Sequence, residues 1–131
     1  MASANVEQMR RGYEAFNRGD FEQVVALVDP EVGARERADS PDPREFHGRT
    51  QMLEALESLK EEFDDYRMEP VEFVEGEDYL IVVVRQSGRG RLSGIPVAGD
   101  LAHLWRLRNG RAISLRAFST KQEALEATEA G

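Results

Sequence analysis

Apolar residues in the first stretch of the chain recur at helical spacing. Val6, Met9, Tyr13 and Phe16 are three, four and three residues apart, which stacks them on one side of a helix at 3.6 residues per turn. Asn5 is the expected N-cap, and Gly19 supplies the left-handed residue that ends such a helix. Asp20, followed three residues later by Gln23, opens a second short helix as in a capping box, with Val24, Leu27 and Val28 on its buried side and Asp29-Pro30 closing it. Val32, Ala34 and Glu36 alternate as a short strand. The stretch ADSPDPREFHG, with two prolines and little apolar content, reads as loop. Thr50 is the expected cap of a third helix, striped by Met52, Leu53, Leu56, Leu59 and Phe63.

From Tyr66 the period changes to two. Met68, Val71, Phe73 and Val74 belong to a strand that Pro70 marks as irregular or at an edge. YLIVVVR is almost wholly apolar and β-branched, as a central strand buried on both faces requires, and SGRGRLSG reads as a flexible or bulged extension. Ala102 to Arg108 alternates, Asn109-Gly110 is a strong hairpin signal, and Ala112 to Phe118 returns. Thr120 and Glu123 then form a capping box for a last helix through about Ala127. The order is ααβαββββα. It predicts an α+β fold in which a curled antiparallel sheet packs its helices on one side.

The 131 residues fit one domain, 1–131, without repeat or linker. The absence of cysteine removes disulfides, thiolate nucleophiles and Cys-ligated zinc. No apolar run approaches the ~20 residues of a membrane span. The opening MASANVEQMRRGYEAF lacks the pattern of a secretory signal, so a cytoplasmic location is expected. A net charge of −8 argues against nucleic acid as a partner. That charge is uneven: residues 85–116 hold seven Arg, no Lys and one acid, Asp100, for a net +6. An anionic ligand or an acidic partner would suit such a face, and so would plain solvation. No metal-ligand spacing or phosphate-binding glycine pattern is present, and no cofactor is expected.

The segments YEAFNRGDFEQVVALVDPEV, FHGRTQMLEAL and HLWRLRNGRAISLRAFSTKQEALEA resemble SnoaL-like proteins of the nuclear transport factor 2-like (NTF2-like) superfamily, which includes ketosteroid isomerases, polyketide cyclases and limonene epoxide hydrolases. The resemblance implies an NTF2-like (cystatin-like) cone: a bent sheet wrapped around the N-terminal helices with a pocket at its open end. It also implies a homodimer through the outer sheet face. His103, Trp105 and Leu107 would then face inward with Tyr13, Phe16 and Met52, while Arg106 and Arg108 face outward.

Ketosteroid isomerases need a carboxylate base on the first strand, and a Tyr and a protonated acid that donate to the enolate oxygen. Here the base position falls at Ala34, or with a slipped register at Arg35 or Glu36. The acid position falls at His103, and Tyr13 lies one residue from the expected Tyr. The epoxide-hydrolase acids are missing: the central strand is LIVVV before Arg85, and Ala117 stands at the last-strand position. The expected site is therefore a pocket for a small apolar or amphipathic molecule, lined by Phe16, Met52, Trp105, Leu107, Ala34 and Arg85. His103, Tyr13 and Glu36 are its candidate catalytic group. Three readings stay open: a binding protein; a cofactor-free isomerase, cyclase or dehydratase in which His103 moves a proton and Tyr13 steadies an oxyanion; and a homodimeric association module.

Overall fold

The computed structural model describes residues 3–38 and 44–129. Its elements are α1 (Ala4–Asn17), α2 (Phe21–Ala26), β1 (Val28–Arg35), β2 (Glu45–His47), α3 (Gly48–Glu62), β3 (Phe63–Glu75), β4 (Tyr79–Gly90), β5 (Pro96–Arg108), β6 (Arg111–Phe118) and α4 (Lys121–Glu129). The helices and long strands follow the expected order. One short strand, β2, adds to it from a segment read as loop, of which residues 39–43 lie outside the described residues.

Local chemistry explains most boundaries. The α1 cap is Ser3, not Asn5: its hydroxyl accepts from the Val6 amide at 3.1 Å. Gly19 at φ 81° ends the helix as expected, and Asp20 caps α2 by accepting from the Gln23 amide at 3.3 Å. α2 stops at Ala26, ahead of Asp29-Pro30, and Val28 already belongs to β1. At α3 the capping position is His47, whose own amide donates to the Gln51 side chain at 2.8 Å, while Thr50 lies inside the helix. Phe63 begins β3 instead of completing the helical stripe. The SGRGRLSG segment is the arm of a hairpin: β4 runs to Gly90 and β5 resumes at Pro96. Asn109 and Gly110 both take positive φ, the geometry that a two-residue hairpin turn requires. Thr120 and Glu123 exchange their capping-box bonds at 3.1 Å.

The six strands form one sheet in the order β2-β1-β6-β5-β4-β3. It is mixed where an antiparallel sheet was expected, because β1 runs parallel to β6. A long return through α3 and four strands separates those two, and only such a connection permits parallel pairing.

Two cores lie on opposite faces, and the alternation of β5 separates them. Leu101 and Trp105 pack into the larger core with Tyr13, Phe16, Met52 and Leu56. Ala102 and Leu104, pointing the other way, pack with Ile81 and with Ala124 of α4. The helices are therefore not all on one side: α1 and α3 fill the concave face, and α4 covers part of the convex one. Arg106 faces away from the concave core as expected, but it is held by its own chain. It donates to the carbonyls of Ala127 and Thr128 at 3.3 and 3.1 Å, and 17% of its side chain is exposed. Arg108 is exposed.

Candidate functional site

Among the described residues, His103 is the one polar or charged residue in the buried set. It comes from the middle of β5, on the face that also carries Trp105 and Leu107. Tyr13 meets it from α1. The Tyr13 hydroxyl lies 2.6 Å from His103 Nδ1, and Trp105 Nε1–H donates to the same hydroxyl at 3.0 Å. The Tyr13 and His103 rings are near-parallel at 15°, whereas Trp105 meets His103 edge-on at 86°. A three-member polar chain thus runs through an otherwise apolar interior.

Burial controls its electrostatics. Desolvation lowers the His103 pKa from 6.5 to about 4, so the imidazole is neutral at pH 7. Desolvation also pushes the Tyr13 phenol well above its ordinary value, against a smaller opposing pull from the Trp105 N–H. Both groups are held in their uncharged forms.

Beside this chain lies a hollow of ≈ 80 Å³ between α1, α3 and the concave sheet face. Tyr13, Phe16, Met52, His103, Trp105 and Leu107 line it together, so six of the nine residues singled out by sequence share one wall. Among the described residues, no Asp, Glu, Lys or Arg lines it. It reaches the surface near Asn5, Gln8 and the exposed Gly110, where α1 passes the β5–β6 turn.

The other three candidates lie elsewhere. Glu36 pairs with Arg44 at 3.2 Å and borders a separate polar depression with Arg35, Arg37 and Arg116. Ala34 sits in β1 between Phe46 and Leu115 and does not line the hollow. Arg85 is an exposed partner of Asp100 at 3.1 Å on the sheet surface. Much of the Arg-rich segment is similarly engaged: Arg89 donates to the Gly94 carbonyl, and Arg91 to Asp64 and the Lys60 carbonyl.

Sequence reasoning missed several wall residues that carried a usable signal. Folding the hairpin about Asn109-Gly110 sets Ala112 opposite Leu107 and Leu115 opposite Trp105, and both line the hollow. Gln8 and Gly12 extend the Tyr13 stripe of α1 by one position. Met68, from the far edge strand, carried no such signal.

The model of the SnoaL-like domain family matches residues 9–115. An NTF2-like protein of unknown function from Burkholderia pseudomallei K96243 is 24% identical, covering 95% of this chain and 97% of that one, with TM-score 0.80. TerC, co-crystallised with polyporic acid, is 22% identical over 97% and 99% of the two chains, with TM-score 0.78. A putative polyketide cyclase from Xanthomonas campestris pv. campestris is 15% identical over 92% and 93%, with TM-score 0.75. No curated protein matches the sequence. At these identities the structural likeness speaks to the fold.

Proposed function

The chain belongs to the SnoaL-like domain family of NTF2-like proteins, and on that basis we propose that it binds a small, mostly apolar molecule in the hollow beside His103. The observation that carries this reading is the composition of the hollow: among the described residues a concave, mostly apolar wall without a charged residue, interrupted by one hydrogen-bonded polar chain, with Asn5 and Gln8 at the mouth. Ligand sites have this character, with apolar burial supplying affinity and a few placed polar groups supplying orientation. The size suits a compact ring. A hollow of ≈ 80 Å³ exceeds the roughly 10–15 Å³ that one water needs and is about half the ~150 Å³ engineered void that takes up benzene, so a ring enters as the wall gives way. Met9, Met52 and Met68 line it, and their unbranched side chains repack to widen such a space. The likeness to TerC, a protein co-crystallised with polyporic acid, supports the same choice.

The geometry favours binding over proton transfer. With a pKa of about 4, His103 has no proton to give as an acid at neutral pH and is a weak base. The Tyr13 hydroxyl is engaged between Trp105 and His103 instead of being free to meet an oxyanion. Among the described residues, no carboxylate lines the hollow to complete an acid–base pair. Homodimerisation through the outer sheet face and a cytoplasmic location belong to the same proposal and rest on the family resemblance and the sequence pattern.

Trp105 is the chain's only tryptophan and sits in the wall, so its emission tests the reading directly. Titration with toluene is expected to shift Trp105 fluorescence and raise the melting temperature. Ala112→Met, which fills the hollow, removes both effects. Unchanged emission and melting in the wild type across a panel of small rings would overturn the proposal.

A further inference from the structure

Resting on the pocket reading above, we propose that Trp105 and Tyr13 fix His103 as a hydrogen-bond donor toward the hollow, so that the site selects a ligand by an uncharged acceptor oxygen. Tyr13 and Trp105 are then specificity-determining residues that act through the tautomer of a third.

The argument is a count of protons. An indole N–H only donates, so Trp105 occupies one lone pair of the Tyr13 oxygen. The phenol has a single proton. In one arrangement it goes to His103 Nδ1, and the imidazole proton sits on Nε2. In the other, Nδ1–H donates to Tyr13, and the phenol proton has no remaining acceptor among the described residues, where the buried Tyr13 makes two hydrogen bonds. Leaving a buried O–H unpaired disfavours that state by about tenfold. The 2.6 Å separation is also short for an N–H donor and ordinary for a hydroxyl donor. Double protonation of the ring is opposed by burial.

The hydrogen bond of the His103 ring is made by Nδ1, and among the described residues Nε2 has no partner. Among the described residues no side-chain nitrogen or oxygen is both sealed and unpartnered, so Nε2 keeps access, and His103 lines the hollow. The polar contact offered to a ligand in the depth of the hollow is therefore a neutral N–H, with the Asn5 and Gln8 amides at its mouth. With no carboxylate or cation on the wall, nothing compensates a charged ligand for its lost water. A ketone, ester or ether oxygen on a small ring fits, and a ring that can only donate does not.

The test uses the full chain labelled with ¹⁵N-histidine, with His47→Gln to assign signals, in a long-range proton–nitrogen spectrum at pH 7.5. His103 is expected to show an unprotonated Nδ1 and a protonated Nε2. A protonated Nδ1, or signals averaged between tautomers, overturns the proposal without any ligand. Cyclopentanone, which only accepts, and pyrrole, which only donates, are then titrated against the same signals. The wild type is expected to prefer cyclopentanone by about tenfold. In Tyr13→Phe, where nothing specifies the proton, that ratio falls toward one. Equal binding of the two rings by the wild type, or an unchanged preference in Tyr13→Phe, refutes the inference. If His103 shows the expected tautomer and neither ring moves its signals, the pocket reading fails and the ligand preference goes with it. Should Tyr13→Phe not fold, the wild-type arms still decide.

Discussion

Burial of His103 makes the stability of this protein depend on pH in a calculable way. Unfolded, the imidazole takes up a proton near its ordinary 6.5; folded, it does so only near 4. Between those values the unfolded chain binds more protons, so stability is lost as pH falls. The His103 contribution is complete above pH 6.5, declines through the window and levels off below pH 4. Each pH unit inside the window costs about 1.4 kcal/mol, so the step from pH 7 to pH 5 removes about 2 kcal/mol and the full window about 3 kcal/mol. Against a total of roughly 5–15 kcal/mol for a single domain, that is a large share.

The assay is urea unfolding followed by Trp105 fluorescence at pH 7, 6 and 5, for the wild type and for His103→Gln. Every other ionisable side chain is common to the two proteins, and the difference between them isolates position 103. The glutamine amide can still accept from Tyr13 but does not ionise. The stability difference, wild type minus variant, is expected to fall by about 2 kcal/mol from pH 7 to pH 5. A difference that stays constant across that range would mean that His103 titrates as if in water, and the desolvated setting of the imidazole would have to be abandoned.

Three further outcomes follow from the same packing. Asn17 grips the edge strand β3 by both ends of its amide, donating to the Met68 carbonyl at 3.0 Å and accepting from the Met68 amide at 2.9 Å. Asn17→Ala is expected to cost about 2 kcal/mol in urea unfolding, and a loss below about 0.5 kcal/mol would contradict the bidentate clamp. Ala124 is fully buried against Ile81, Ala102 and Leu104. Ala124→Asp places an unpaired charge there and should lower stability by at least about 3 kcal/mol, whereas a wild-type melting temperature would show that α4 is not docked. His103→Asp puts a carboxyl where burial raises its pKa, so that variant should lose stability as pH rises from 4 to 7, opposite in sign to the wild type. A slope of the same sign as the wild type would mean that a nearby cation, not desolvation, governs the position.

Where the fold was legible, short-range periodicity carried it. Val6, Met9, Tyr13 and Phe16 mark one helical face; the buried Leu80, Ile81, Val82 and Val84 form β4, a strand paired on both sides; and Asn109-Gly110 turns β5 into β6 as its composition requires. What was not legible depends on distant partners. The three residues of β2 are too few for any period to declare a strand, and they pair with β1 only because the chain returns there. The parallel match of β1 with β6 joins positions about eighty residues apart. The register of β1 slips between Val28 and Gly33, and counting forward from the helices therefore could not assign Ala34 and Glu36 to a face. Parity along the unbroken part of β5 had no such slip, and His103 and Trp105 landed where alternation placed them.

Strand β5 also explains how a hydrogen bond of 2.6 Å can be held in an apolar site. Its odd positions, His103 and Trp105, face the hollow, while its even positions, Ala102 and Leu104, are packed from behind by α4. The ladder to β4 sets His103 opposite Val82, and the ladder to β6 sets it opposite Ala117, so the backbone under the imidazole is fixed on both sides in the plane of the sheet. On the other partner, Tyr13 belongs to α1, whose C-terminal end is tied to β3 through Asn17. The two rings are thus held by elements anchored to one sheet, His103 by the ladders on either side of β5 and Tyr13 by a helix clamped to β3. A group placed this way needs no movement to present Nε2 to a ligand, which lowers the ordering cost of binding. The same arrangement makes α4, which touches no part of the hollow, a determinant of its geometry: loosening the second core frees the strand that carries His103.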